Sequence, residues 1–204
     1  MEIIRGKKPL GMETTALLEQ IGAREHIIID LGTGDGRFVS HLADQCPVAF
    51  VIGVDACREN LRTLSRARRD NALFVIANAQ CLPRELYGLA DRLCINFPWG
   101  SLLDGLLRAE PGLMTGLLAV SRPGALLEVR LNAAALAEAG CTLEQGAERV
   151  RDNLRAHGFS LQHPRTLDVP DLRRFPSTWA RRLAFGRDPR SMVLSGSRAP
   201  SGSG

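Results

Sequence analysis

Four short apolar runs constrain the fold of this chain more than any other feature. They are HIIIDLG (26–32), AFVIGVD (49–55), LFVIANA (73–79) and DRLCINF (91–97). Each is continuously apolar rather than alternating, the pattern of parallel strands covered on both faces. Helix-length stretches separate them, notably 35–44 and 57–69, and a third helix spans about 101–119 before the turn SRPG. ALLEVRL (125–131) predicts a fifth strand. TLEQGAERVRDNLRAHGF predicts a helix, opened by a capping box of Thr142 with Gln145 and stopped at Gly158. A last strand pair, SLQHPRTLDV and SMVLSGS, flanks the insertion PDLRRFPSTWARRLAFGRDP. This order predicts an open, doubly wound α/β sheet that ends in an antiparallel strand. The 204 residues suit one domain at 1–198, with the insertion near 170–190 and a flexible Ser/Gly tail at 199–204.

DLGTGDGR (30–37) follows the first of these strands and opens a helix. Its glycines let the backbone turn sharply beside a ligand. A dinucleotide fingerprint requires G-x-G-x-x-G. The third position of that pattern is Arg37 here, and the sequence reads D-x-G-x-G-x-G instead. Asp30 would repel a pyrophosphate but suits the ammonium of a methionine moiety. Asp55 closes the second strand, placed to accept hydrogen bonds from ribose hydroxyls. Asp30, Gly32 and Asp55 together favour S-adenosylmethionine over a nicotinamide cofactor. A tight structural turn with a capping Asp is the competing reading of the loop alone. In a class I methyltransferase, the segment NAQCLP (78–83) would meet the adenine ring of the cofactor, with Ala79 and Gln80 as candidates.

Composition narrows the partners. The net charge is +4, and two Lys leave 24 Arg among the 26 basic residues. That balance fits a polyanionic partner, and the planar guanidinium suits phosphate. The five Cys are scattered, odd in number and form no CxxC pair, which speaks against a zinc site or a disulfide framework and fits reduced thiols in a cytoplasm. No apolar run approaches membrane-spanning length, and MEIIRGKKPL lacks the apolar stretch of a secretory signal. His26, His41, His157 and His163 stand in no motif.

Only two Trp occur. Trp99 lies in NFPWG, after the fourth strand, at the switch point where such sheets bind ligands. Trp179 lies in the insertion, in FPSTWARRLAFGR. Either ring alone reads as packing; both lie in loops near Pro and Arg, which points to two planes able to sandwich one extruded base.

The blocks IDLGTGDGR, IGVD…ENL, FPWG and WARRLAFGR resemble those of the aminoglycoside-resistance methyltransferases that modify N1 of a decoding-site adenine, adenine-1408, in 16S rRNA. The resemblance spans nearly the whole chain. It implies a class I, Rossmann-like fold with a seven-stranded, mostly parallel sheet. It implies S-adenosylmethionine as cofactor, held by Asp30, Gly32, Asp55, Ala79, Gln80, the segment Cys94, Ile95, Asn96, Phe97, Pro98 and Trp99, and Ser177, Thr178 and Trp179. It implies that Trp99 and Trp179 stack on the flipped adenine. Asn96 and Gln80 depart from the family's pattern, and Asn96 makes the loop look more like the NPPY motif of exocyclic N6 methylation.

The N1 lone pair is free in the ring plane, so no general base is expected and catalysis reduces to positioning. Trp faces would stabilise the cationic product ring, and the carbonyls of Phe97 and Pro98 would identify adenine through its amino group. The partner expected is 16S rRNA in the assembled 30S subunit, approached by a monomer that needs no protein partner. Docking candidates are Arg5, Lys7 and Lys8, then Arg62, Arg66 and Arg69 on one helix face, then Arg181, Arg182, Arg187 and Arg190 around Trp179. Rival readings are an N6-adenine or small-molecule methyltransferase and a non-catalytic RNA-binding module.

Overall fold

The computed structural model describes residues 1–200 except Lys7, 63–68, Trp179 and 183–187. The four apolar runs form parallel strands β3 (His26–Leu31), β4 (Ala49–Asp55), β5 (Ala72–Ile76) and β6 (Ala90–Asn96). In β3 and β4 nearly every side chain is buried, which is why neither shows a period of two. A hairpin of β1 (Glu2–Arg5) and β2 (Lys8–Gly11) precedes them, and β7 (Ser121–Asn132), β8 (Phe159–Leu161), β9 (Arg165–Leu167) and β10 (Ser191–Arg198) follow. The sheet order is β2-β1-β5-β4-β3-β6-β7-β10-β8, with β9 also on β10.

Seven of these strands, β5-β4-β3-β6-β7-β10-β8, make the expected sheet, and β10 runs antiparallel to both neighbours. The hairpin and β9 bring the total to ten among the described residues. The hairpin escapes sequence reading because, among its described residues, Ile3 and Ile4 alone are buried, too short a run to show a period. The predicted strand SLQHPRTLDV is two strands, β8 and β9, because Pro164 between them carries no N–H for the ladder.

Helices bounded within the described residues include α1 (Thr14–Ile21), α2 (Arg37–Gln45), α3 (Arg58–Leu61), α4 (Gly100–Arg108), α5 (Pro111–Val120), α6 (Ala133–Glu138), α7 (Leu143–Ala156) and α8 (Val169–Arg174). The single helix predicted over 101–119 is two. Ala109 turns left-handed at φ 52°, and Pro111 then starts a new helix, where its missing N–H is harmless. Glu110 caps it, accepting from Gly112 N at 3.1 Å and Leu113 N at 2.6 Å. The turn expected at SRPG is an irregularity inside β7: Ala90 pairs with Ser121, but Arg92 pairs with Leu126. The capping box of α7 forms as predicted, with both Thr142–Gln145 bonds at 3.2 Å.

Two cores flank the sheet. The larger packs α4, α5 and α7 around Ile29, Leu93 and Leu127. The smaller joins α2 through Phe38 and Val39 to Ile28, Val51 and Cys94. A third, small cluster ties the end of β6 to the insertion through Phe97, Leu172 and Ala180.

Candidate active site

A cleft of about 280 Å³ opens at the carboxyl ends of β3, β4, β5 and β6. Its floor is the loop after β3. Gly32 takes φ 73°, and a Cβ there would stand 2.6 Å from Leu102 Cδ2. Only glycine satisfies both conditions. Gly34 takes φ 57°, and the place of its missing side chain is open space within 4 Å. The backbone there leaves room for a ligand to lie against it.

Two carboxylates mark the cleft. Asp55, at the tip of β4, accepts from Gly34 N and from Cys57 N, both at 2.8 Å, which locks its orientation across the glycine loop. Asp30, at the tip of β3, is 1% exposed and lines the back of the cleft. Burial pushes its pKa up to about 6 from 3.8, while Thr33, Asn96 and the Arg130 charge pull it down. Asn96 Nδ2 donates to Asp30 Oδ1 at 2.8 Å, and Arg130 Nη1 donates to Asn96 Oδ1 at 2.9 Å. Arg130 reaches Glu128 at 3.3 Å, and Arg92 bonds the same carboxylate. Against the desolvation that burial imposes, those two guanidiniums hold the Glu128 carboxyl below the usual range.

The far wall is aromatic. Phe97 ends the β6 segment at φ 53°, a conformation bulky residues avoid, and its backbone N–H donates to Arg130 O at 2.8 Å. Its ring is buried and meets Phe175 edge-on at 5.6 Å. Phe175 stacks on Phe38 at 5.0 Å, and the Arg130 guanidinium lies 4.9 Å over its ring. Pro98 and half-buried Trp99 line the cleft, and Trp99 is the N-cap of α4. From the insertion, Ser177 lines the same cleft, and the Thr178 hydroxyl donates to Asp35 on the glycine loop.

A family model described as NpmA, 16S rRNA (adenine(1408)-N(1))-methyltransferase, matches residues 2–198. The chain belongs to this family. The 16S rRNA (adenine(1408)-N(1))-methyltransferase of Escherichia coli is 33% identical over 96% of this chain and 98% of its own. The crystal structure of 16S rRNA methyltransferase KamB matches with a TM-score of 0.87 at 29% identity, over 98% of this chain and 100% of that one. A variant of the 16S rRNA (adenine(1408)-N(1))-methyltransferase of Catenulisporales acidiphilia, solved with SAM as cosubstrate, matches with a TM-score of 0.87 at 26% identity, covering 100% and 99%.

Most of the residues expected of an NpmA-family cofactor site converge on this cleft: Asp30, Gly32, Asp55, Ala79, Gln80, Asn96, Phe97, Pro98, Trp99 and Ser177 all line it. Cys94 and Ile95 do not. Both side chains are fully buried between strands and helices, because successive residues of a doubly covered strand point into the two cores. The Cys94 thiol, pushed up to about 12 by burial and the Asp30 charge, is inert. Thr178 stands beside the cleft, on Asp35. Trp179 lies outside the described residues; its neighbour Ala180 is buried in the cluster with Phe97.

The basic candidates are dispersed. Arg5 and Lys8 are exposed on the hairpin, with Arg5 bonded to Gln20 at 2.9 Å. The helical face expected of Arg62, Arg66 and Arg69 falls on 63–68, outside the described residues. Of the described two, Arg62 follows the end of α3, and Arg69 is held by Asp44 at 2.7 and 2.9 Å. Arg181 and Arg182 are exposed, and Arg190 pairs with Asp188. Lys7, Arg66 and Arg187 lie outside the described residues.

Sequence reading missed Arg130, Phe175, Phe38, Asn60 and Leu102. Arg130 sits in an apolar run as LEVRL, and a charged pair two apart on a central strand is the signal that was there to find. Asn96 was read as an N6-type motif residue. Its amide is committed inside the sheet instead, donating to Asp30 and accepting from Arg130.

Proposed function

We propose that this protein transfers a methyl group from S-adenosylmethionine to N1 of adenine-1408 in 16S rRNA, within the assembled 30S subunit, and so confers aminoglycoside resistance. The reading rests chiefly on one arrangement: a cleft with a carboxylate at the tip of each of two parallel strands runs without interruption into the FPWG loop and the insertion. Family membership supplies the reaction and the nucleotide.

Asp30 is the partner for the cofactor's α-ammonium and Asp55 for its ribose, with Ala79 and Gln80 against the adenine ring. The cleft fits such a group, since Gly34 leaves open the space a side chain would fill. When bound, the cofactor supplies a sulfonium methyl that is electrophilic without further activation. The chain's share is geometry. Trp99 offers its ring at the cleft edge, and we assign Trp179 the opposite face of the flipped base. The strained turn at Phe97 fixes where the Phe97 and Pro98 carbonyls stand, and we assign them the adenine amino group. Proton removal from N1 is not needed, so the chain requires no base.

Residues 1–198 act as one domain, with 170–190 docking on rRNA. Arg181, Arg182 and Arg187, with Arg5, Lys7, Lys8, Arg62 and Arg66, hold phosphates; Arg69 and Arg190 contribute least, because Asp44 and Asp188 already neutralise them. The protein works as a monomer in the cytoplasm, where its substrate is. Incubation of 30S subunits with the protein and S-adenosylmethionine, followed by nucleoside mass spectrometry and primer extension, tests the reading. 1-Methyladenosine at position 1408 is expected. N6-methyladenosine, or no product, refutes it.

A further inference from the structure

Three parallel strands carry a row of polar side chains across the face covered by α2. Asp30 pairs in register with Cys94, and Asn96 with Arg130. Side chains two apart on a strand share a face. Asp30, Asn96 and Arg130 therefore stand side by side at the carboxyl edges of β3, β6 and β7. A central parallel sheet seldom carries such a row, since a buried polar group without partners is costly.

The chemistry allows only one orientation of the middle residue. Arg130 can only donate and an ionised Asp30 can only accept, so the Asn96 amide must turn its oxygen to Arg130 and its nitrogen to Asp30. The observed bonds, 2.9 and 2.8 Å, are that pair. An amide whose oxygen is held by a cation is polarised and donates more strongly. The guanidinium is itself held by Glu128 at 3.3 Å and by its position over Phe175 at 4.9 Å.

We propose that Asn96 and Arg130 are positioning residues for the cofactor: through the amide, Arg130 keeps the Asp30 carboxylate charged and aimed at the α-ammonium. This rests on the reading of Asp30 given above. Neither residue touches the reacting atoms. A hydrogen bond to the charged form and a cation behind it both oppose protonation of a buried acid. Among the described residues, the other ionisable groups beside this row are Asp55 on β4, Asp35 on the glycine loop, Arg92 and Cys94 on β6, Glu128 on β7, and Arg165 and Asp171, which share a cavity with Arg130. Asp55 works against the ionised state, and Arg130 is the charge that favours it.

The readout is the affinity of the full-length protein for S-adenosylmethionine by calorimetry from pH 5 to 7.5. The ligand's own amine, near 7.7–8.0, affects only the alkaline limb and all variants alike. In the wild type the affinity should break near the Asp30 value of about 6 and weaken below it. In Asn96→Leu the break should move up by about one unit. Binding is then roughly eightfold weaker than wild type at pH 5.5 but within about twofold at pH 7.5. Arg130→Gln should shift it in the same direction, and Arg130→Lys should restore it.

A purely structural role would weaken binding equally at every pH, and that result overturns the proposal. So does a shift in only one of Asn96→Leu and Arg130→Gln, since a relay needs both members. Asp30→Asn separates the two readings. If it binds as tightly as wild type, the assignment of Asp30 fails; if it loses binding while the other breaks stay in place, only the relay fails. Thermal melts of each variant identify loss of fold, and the Arg130→Lys rescue decides the question should Asn96→Leu not fold.

Discussion

The two walls of the cleft are built differently. The β3–α2 wall is consecutive chain, seated in a six-residue parallel ladder with β4 and tied by Gly34 to Asp55. The opposite wall comes from residues far apart in sequence. Phe97 and Phe175 meet edge-on, Phe175 stacks on Phe38, and the Thr178 hydroxyl donates to Asp35 across 143 positions. Backbone ladders secure the side that would hold a cofactor common to many enzymes. A few aromatic and polar contacts secure the side that would meet this enzyme's own substrate. Cofactor binding should therefore survive changes that abolish methylation, and the reverse should fail.

The largest separation is expected at the tryptophans. Trp99→Ala should lower kcat/KM for 30S methylation by about 5- to 150-fold, the value of ~1–3 kcal/mol of stacking. Cofactor affinity should change by less than about threefold, and equal loss of both would dissolve the contrast. Trp179→Ala should behave alike.

Asp30→Asn is the converse and should weaken cofactor binding by about 10- to 100-fold, as expected for loss of a charged hydrogen bond. It should also stabilise the fold. Raising a buried carboxyl from 3.8 to about 6 opposes folding by about 3 kcal/mol when it is ionised, at ~1.36 kcal/mol per unit. A group protonated more readily in the folded state loses stability as pH rises, here between about 4 and about 6. Urea melts of Asp30→Asn should thus show a gain of about 1–3 kcal/mol at pH 7.5 that fades below about pH 4.

Phe175→Ala tests the second wall where it meets Phe38 and Arg130. Removing the ring should cost about 2–3 kcal/mol of stability and lower methylation about tenfold, while cofactor affinity at pH 7.5, with Arg130 still bonded to Asn96 and Glu128, falls by less than about threefold. The smallest effects belong to single arginines. Arg181→Ala should reduce the salt slope of 30S binding by about one. Arg69→Ala, whose charge Asp44 already neutralises, should change it by less than half as much. Equal slopes for the two would show that the docking surface reaches the Asp44 side.

Much of the site was legible because it depends on local chain geometry. A glycine-rich turn after a buried strand, with Asp at the strand tips, is recognisable one residue after another, and Asp30, Gly32 and Asp55 stand where such a turn places them. The break in the α4–α5 helix was also written in the chain, as Glu110-Pro111-Gly112, though helical periodicity on both sides hid it. The side chains of Cys94 and Ile95 do not line the cleft, and sequence proximity to the motif does not show it, because it does not fix which face of a strand a side chain takes.

The chain's linear order of apolar runs and turn residues determined a parallel sheet, its antiparallel last strand and the cofactor loop, since strand, turn and helix preferences act between near neighbours. Only the tertiary structure decided that Asn96 serves Asp30 and Arg130 rather than a base, and that Phe175 closes on Phe38. Those contacts link strands and loops tens of residues apart, and side chains meet there only after the sheet register sets which atoms come within hydrogen-bonding reach.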